Sequence, residues 1–197
     1  MLYKLLRGLI RGLFLVLGLS VKGLDNFPRE GAVIIASNHV SNWDPFLVAV
    51  SLNRPVHFMA KAELFNNRIL GTLLTNAYVF PVRRGAADRK AIRHALDILK
   101  DGEVLGIFPE GTRHTSGEDG KVQAGVAMIA LNSGAPVVPV ACVGTKRKIP
   151  WGWSQSLELR IGKPVYPEGG QHARLSSAEM ENFSIDIMQK INTLLSK

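Results

Sequence analysis

A histidine and an aspartate lie five residues apart in the stretch Asn38-His39-Val40-Ser41-Asn42-Trp43-Asp44-Pro45. A carboxylate that accepts a hydrogen bond from one imidazole nitrogen fixes the tautomer and stabilises the imidazolium formed when the other nitrogen takes a proton. His39 and Asp44 are therefore a candidate general base and its orienter. The chain has no G-x-S-x-G elbow, the strand-to-helix turn that exposes an enzymic serine, so a hydroxyl activated by His39 would belong to a substrate. The same spacing recurs at His114 and Asp119, inside a loop rich in Ser, Gly and acids with no helix start at the aspartate. Context favours the first pair. Taken alone, these local features leave an equal alternative: a satisfied histidine at a strand end, with Asp44 a plain helix cap.

The elements that would position the pair flank it. Ala32-Val33-Ile34-Ile35-Ala36 reads as a buried strand. Asp44-Pro45 reads as an N-cap with proline at the first helical position, opening a short helix from Pro45 to Leu52. Val56 to Met59 is a strand leading to Lys61, and Tyr78 to Phe80 a strand leading into Arg83 and Arg84. From Ala87 to Lys100, Ile92, Ala95, Leu96 and Leu99 recur at helical spacing, with Gly102 as terminator. Val104 to Phe108 is the next strand, Gln123 to Asn132 a helix ended by Gly134, Val137 to Cys142 a strand, and Ser156 to Ile161 an alternating edge strand. Ser176 and Glu179 form a capping box for a C-terminal helix carrying Met180, Phe183, Ile187, Ile191 and Leu194 on one face. Strand followed by helix, repeated, predicts an α/β core.

Residues 1–22 form a separate segment by pattern, ahead of a domain at 23–197. On a helical wheel Lys4, Arg7 and Arg11 share an arc opposite Leu2, Leu5, Leu6, Leu9, Ile10 and Leu13, which is an amphipathic helix. Ten uncharged residues separate Arg11 from Lys22, about 15 Å of helix against the roughly 20 residues needed to cross a bilayer. The helix is expected to lie in the membrane interface, as a peripheral or monotopic anchor. Two alternatives are a core-packing helix and a signal peptide, since Gly18-Leu19-Ser20 loosely resembles a cleavage site.

The net charge of +8 is unevenly placed, with Lys4, Arg7, Arg11 and Lys22 in the first 22 residues and no acid among them. No zinc-finger, RNP or basic-helix pattern supports nucleic-acid binding, so anionic lipid is the expected partner. The length of 197 residues and the 46% apolar content suit one domain with a sizeable core. The single cysteine, Cys142, excludes an internal disulfide and sits among apolar neighbours as a structural thiol. The five histidines lack metal-ligand spacing, so no metal is expected.

Four blocks then carry a resemblance: Asn38-His39 with Asp44-Pro45, Phe80-Pro81-Val82-Arg83-Arg84-Gly85, Phe108-Pro109-Glu110-Gly111-Thr112-Arg113, and Ala135-Pro136-Val137-Val138-Pro139-Val140. In order and rough spacing the chain resembles the glycerolipid acyltransferases, in particular the bacterial 1-acyl-glycerol-3-phosphate branch, strongly over residues 31 to 145. It departs at His114, where the family often has Ser, and at Gln123-Ala124-Gly125, where a basic residue is common. The resemblance implies a single-domain mixed sheet flanked by helices, no cofactor, and transfer of an acyl group from acyl-ACP or acyl-CoA to the sn-2 hydroxyl of lysophosphatidic acid. It implies work at the cytoplasmic face of the membrane, with His39 as base and no acyl-enzyme. Phosphate needs fixed cations, and arginine's planar fork suits its oxygens. Arg84 and Arg113 follow strand-like runs and are the expected contacts, while the resemblance adds Lys61, Glu110, Gly111 and Thr112. Glycerol 3-phosphate or another lysophospholipid as acceptor, and a non-catalytic lipid-binding protein, are the alternatives.

Overall fold

The computed structural model describes residues 2–83, 88–109, 125–146, 157–167 and 176–197. Its frame is a seven-stranded sheet of β1 (Ser20–Lys22), β2 (Val33–Ser37), β3 (Val56–Lys61), β4 (Val79–Val82), β5 (Val104–Ile107), β6 (Val137–Val143) and β7 (Glu158–Ile161). The strand order is β1-β7-β6-β2-β5-β3-β4. All neighbours pair parallel except β6 with β7, so the sheet is mixed. The expected α/β fold is thus the observed one.

Among the described residues six helices cover the sheet: α1 (Leu2–Val16), α2 (Asp44–Ser51), α3 (Arg68–Asn76), α4 (Arg89–Lys100), α5 (Gly125–Ser133) and α6 (Ser177–Leu195). Strand residues alternate between two cores, as the two-residue side-chain period of a strand requires. Val33 and Ile35 of β2 pack with Phe14 of α1 and Leu47 of α2, while Ile34 and Ala36 pack with Ala95 of α4, Ile129 of α5 and Ile187 of α6. The crossovers through α2 and α3 advance in the same direction along the sheet, so right-handed connections place both on the α1 face; the crossover through α4 runs back and lies on the other.

Several boundaries follow the sequence closely. Gly102 ends α4 with a positive φ of 75°, and Ser176 with Glu179 makes the complete capping box at the start of α6. Others differ. Residues 157–161 are not an edge strand: β7 is flanked on both sides, because the three-residue strand β1 pairs outside it, Ser20 opposite Glu158. Nor does packing break at residue 22. Phe14 is fully buried in the core, and β1 belongs to the sheet, so the segment 2–22 is built into the domain.

The helix α1 also lies differently from its wheel. Tyr3, Arg7, Ile10 and Phe14 form its inward stripe, at helical spacing of four, three and four. The Arg7 guanidinium donates to the carbonyls of Ala49 and Leu52, groups that the end of α2 leaves without helical partners. Phe14 meets Trp43 edge-on at 6.0 Å. Leu5, Leu9 and Leu13 are exposed. Arg7 of the basic arc is therefore used in packing, while Leu5, Leu9 and Leu13 face outward.

Candidate active site

The strand β2 ends at Ser37, and the turn that follows brings His39 back over the carboxyl ends of the parallel strands. Ligands of open α/β sheets bind at this edge. Asn38 fixes the turn to the neighbouring strand: its side chain accepts from the Cys142 backbone N–H at 2.8 Å and donates to the Cys142 carbonyl at 3.1 Å. Asn38 is buried, so both of its amide ends are satisfied by backbone that would otherwise be orphaned. Cys142 packs beneath with its Sγ 3.4 Å from the Ser37 hydroxyl. Burial pushes its thiol pKa strongly upward, which is the structural, unreactive cysteine its neighbours predicted.

Asp44 lies at the first position of α2, with Trp43 as N-cap. It does not cap the helix forward, as the sequence suggests. Its Oδ2 turns back and accepts from His39 Nδ1 at 3.0 Å and from the Val40 and Ser41 N–H groups at 2.7 Å each. Asp44 has no exposure to solvent, and a buried carboxylate is tolerable only when so held. Oδ1 has no partner among the described residues. With Nδ1 engaged by the carboxylate, Nε2 is the nitrogen left to meet a hydroxyl.

Phe108, just after β5, stacks on the His39 ring with centroids 4.2 Å apart and planes at 23°. Phe58 of β3 in turn stacks on Phe108 at 5.9 Å. The imidazole is thus clamped between a carboxylate at its edge and an aromatic plane at its face. Gly106 in β5 makes room for this column, since a Cβ there would sit 2.3 Å from the Phe58 ring. Sequence reasoning missed Asn38, Phe108 and Gly106 as parts of the site. Their partners are remote in the chain, and only the parallel pairing of β6, β2, β5 and β3 assembles them.

Lys61 ends β3 opposite Val82 of β4, at the same carboxyl edge as His39, and is exposed. Arg84, Glu110, Gly111, Thr112 and Arg113 lie outside the described residues, as does His114. The chain leaves the described region for the first of these from Arg83 after β4 and for the others from Pro109 after β5. Both strands end at the carboxyl edge. His57 is bonded to Glu103 at 3.3 Å, and burial holds its pKa below the usual imidazole value. A cleft of about 760 Å³ lined by Phe27, Arg29, Asn53 and Arg54 opens at the opposite edge of the sheet, away from the pair. Among the described residues no three His, Cys, Asp or Glu side chains converge as a metal site.

Comparison with known proteins fits this geometry. The family model for acyltransferases matches residues 18–143. The 1-acyl-sn-glycerol-3-phosphate acyltransferase of Bacillus subtilis is 34% identical over 157 residues, covering 79% of this chain and 77% of that one. The protein of the same name from Pseudomonas aeruginosa is 32% identical, covering 76% of this chain and 60% of its own length. Against a chloroplastic relative from Brassica napus, the chain spans about half of that longer protein, 51%. The crystal structure of the 1-acyl-sn-glycerophosphate acyltransferase PlsC from Thermotoga maritima superposes with a TM-score of 0.75 at 27% identity, covering 99% of this chain and 80% of that one. With the family model spanning most of the sheet and the His–Asp turn inside it, the chain belongs to the acyltransferase family.

Proposed function

We propose that the protein transfers a fatty acyl group from a thioester to the free sn-2 hydroxyl of 1-acyl-glycerol 3-phosphate, giving phosphatidic acid. The observation that carries this reading is the His39 Nδ1 to Asp44 Oδ2 contact of 3.0 Å at the carboxyl edge of the sheet, together with relatives of that name. Nε2 of His39 takes the proton of the acceptor hydroxyl as its oxygen attacks the thioester carbonyl. The tetrahedral intermediate collapses with cleavage of the C–S bond. The imidazolium returns the proton to the departing thiolate, so His39 ends the cycle neutral and no acyl-enzyme forms. Asp44 holds the ring and stabilises its charged form, and Phe108 prevents the ring from tipping.

The acceptor phosphate is held by Arg84 and Arg113, with Lys61 and the Glu110-Gly111-Thr112 segment completing its cradle. The donor is acyl-ACP or acyl-CoA. The acceptor is a membrane lipid, and none of the described helices is long and apolar enough to cross a bilayer. The protein works peripherally at the cytoplasmic face, attached through the exposed leucines of α1. Purified full-length protein offered both donors and a panel of lysophosphatidic acid, glycerol 3-phosphate and monoacylglycerol should form phosphatidic acid as the main product by mass spectrometry. Replacing Arg84 or Arg113 with Ala should mainly raise KM for the phosphate-bearing acceptor, by about tenfold or more. Equal turnover of monoacylglycerol and lysophosphatidic acid by the unmodified protein would remove the phosphate cradle from the mechanism.

A further inference from the structure

The helix α3 is built the wrong way round for a protein surrounded by water. It runs for nine residues, and Gly71 is its one buried residue. That glycine seats it against Phe65, whose carbonyl oxygen a Cβ would approach at 3.0 Å. Local hydrogen bonds hold the rest: Asn67 caps the Ile69 and Leu70 N–H groups. Its apolar residues Ile69, Leu70 and Leu73 point outward, Ile69 at 84% exposure. Surface helices ordinarily place that stripe against the core, and a contiguous exposed apolar face marks a contact site. Leu64, in the turn before α3, and Phe46, in the first turn of α2, are also exposed.

We infer that α3 and the turn before it form a second membrane contact, beside α1, so that the whole α1–α2–α3 layer rests on the lipid surface. This deepens the peripheral attachment proposed above. Continuity supports it: Tyr3 of α1 packs edge-on against Tyr78, two residues beyond α3, at 4.8 Å. Charge selects an anionic bilayer over a protein partner. Arg11, Lys61 and Arg68 are exposed in this layer, whereas its acids are the buried Asp44 and the single exposed Glu63. The arrangement also has an orientation. The end of α1, the start of α2 beside Asp44, and the start of α3 all lie at the carboxyl edge of the sheet. An acceptor lipid would then pass from the bilayer to His39 without crossing water.

A fluorophore at position 69 tests this contact independently of catalysis. Cys142 is buried, so Ile69→Cys in the full chain can be labelled with an environment-sensitive dye, and Arg93→Cys on α4 serves as the reference. Adding phosphatidylglycerol vesicles should shift the emission at position 69 to the blue and leave position 93 unchanged. Ile69→Glu with Leu73→Glu should lower partitioning onto these vesicles by about tenfold or more, while turnover of a short-chain, water-soluble lysophosphatidic acid stays unchanged. No shift at 69 while the protein still floats with the vesicles would overturn the role of α3 and leave attachment by α1 standing. Failure of the unmodified protein to bind vesicles at all would overturn the peripheral attachment itself. A blue shift that grows with protein concentration in the absence of lipid would assign the face to a second copy of the chain, against the proposal.

Discussion

The two faces of the sheet are both covered by helices and finished in opposite ways. On one, α4 presents Arg89, Lys90, Arg93, Asp97 and Lys100 outward while Ala91, Ala95, Ile98 and Leu99 are buried. On the other, α1 and α3 turn Leu5, Leu9, Ile69 and Leu73 outward. The first is what water selects: an apolar stripe hidden and a charged stripe solvated. The second would be costly in water, since each exposed leucine or isoleucine forgoes about 1.5–3 kcal/mol of burial. The difference teaches that the fold is stabilised by both cores, whereas the turn carrying His39 and Asp44 is attached to only one of them. His39, Trp43 and Asp44 lie between β2 and α2, and Trp43 is braced by Phe14.

The largest expected effect concerns that turn. His39→Ala should lower turnover by on the order of 10³ or more, Asp44→Asn nearly as much, with circular dichroism unchanged for the histidine variant. His114→Ala serves as the control and should be mild; the reverse pattern would move the base to the other His–Asp spacing. Next come truncations that set one core against the other. Phe14→Ala and Ile187→Ala each empty a fully buried site and should cost about 2–5 kcal/mol of stability. Assayed where both variants remain folded, only Phe14→Ala should also lower kcat, through Trp43. Equal kcat for the two would show that the turn does not depend on its own face. For the same reason deletion of residues 1–21, which removes Phe14 and two of the three β1 residues, should cause unfolding and not a soluble active domain.

The smallest effect belongs to the strand through which α1 joins the sheet. Glu158 of β7 meets Lys22 of β1 and Arg160, whose guanidinium also reaches the Leu194 carbonyl at 2.7 Å. The hydrogen bond from Lys22 comes first among the causes that hold the Glu158 carboxyl below its ordinary value of 4.5. A lowered carboxyl pKa contributes stability that is present above the ordinary value and lost as pH falls through the lowered one. Glu158→Gln should therefore cost about 1 kcal/mol near neutral pH, and the difference from the unmodified protein should vanish in acid. A difference independent of pH would assign the effect to packing.

Much of this architecture could be read from the chain because its signals are local. Ala32 to Ala36 announces a strand by composition, Gly102 ends a helix by conformation, and Ser176 opens one by hydrogen bonding. What could not be read depends on distant partners. β1 is three residues with no periodicity of its own, and only β7, more than 130 residues later, makes it a strand. For the same reason β7 looks like an edge in sequence. Asp44 before Pro45 has the pattern of a cap, but the buried His39 and the N–H groups of Val40 and Ser41 claim its carboxylate instead. The helix α3 has no strong local signal, being nine residues long with a helix-weakening glycine, Gly71, inside it.

The Asn38 side chain joins the turn to Cys142, 104 residues further along the chain. Long loops close slowly, and contacts of such separation form late in folding. Helices can therefore be complete while the imidazole still samples wrong positions. On dilution from denaturant, far-ultraviolet ellipticity should recover ahead of enzymatic activity. The interval between them measures how long the molecule remains shaped but inert, and a cell making this protein would have a population of chains that has its secondary structure and has yet to become an enzyme.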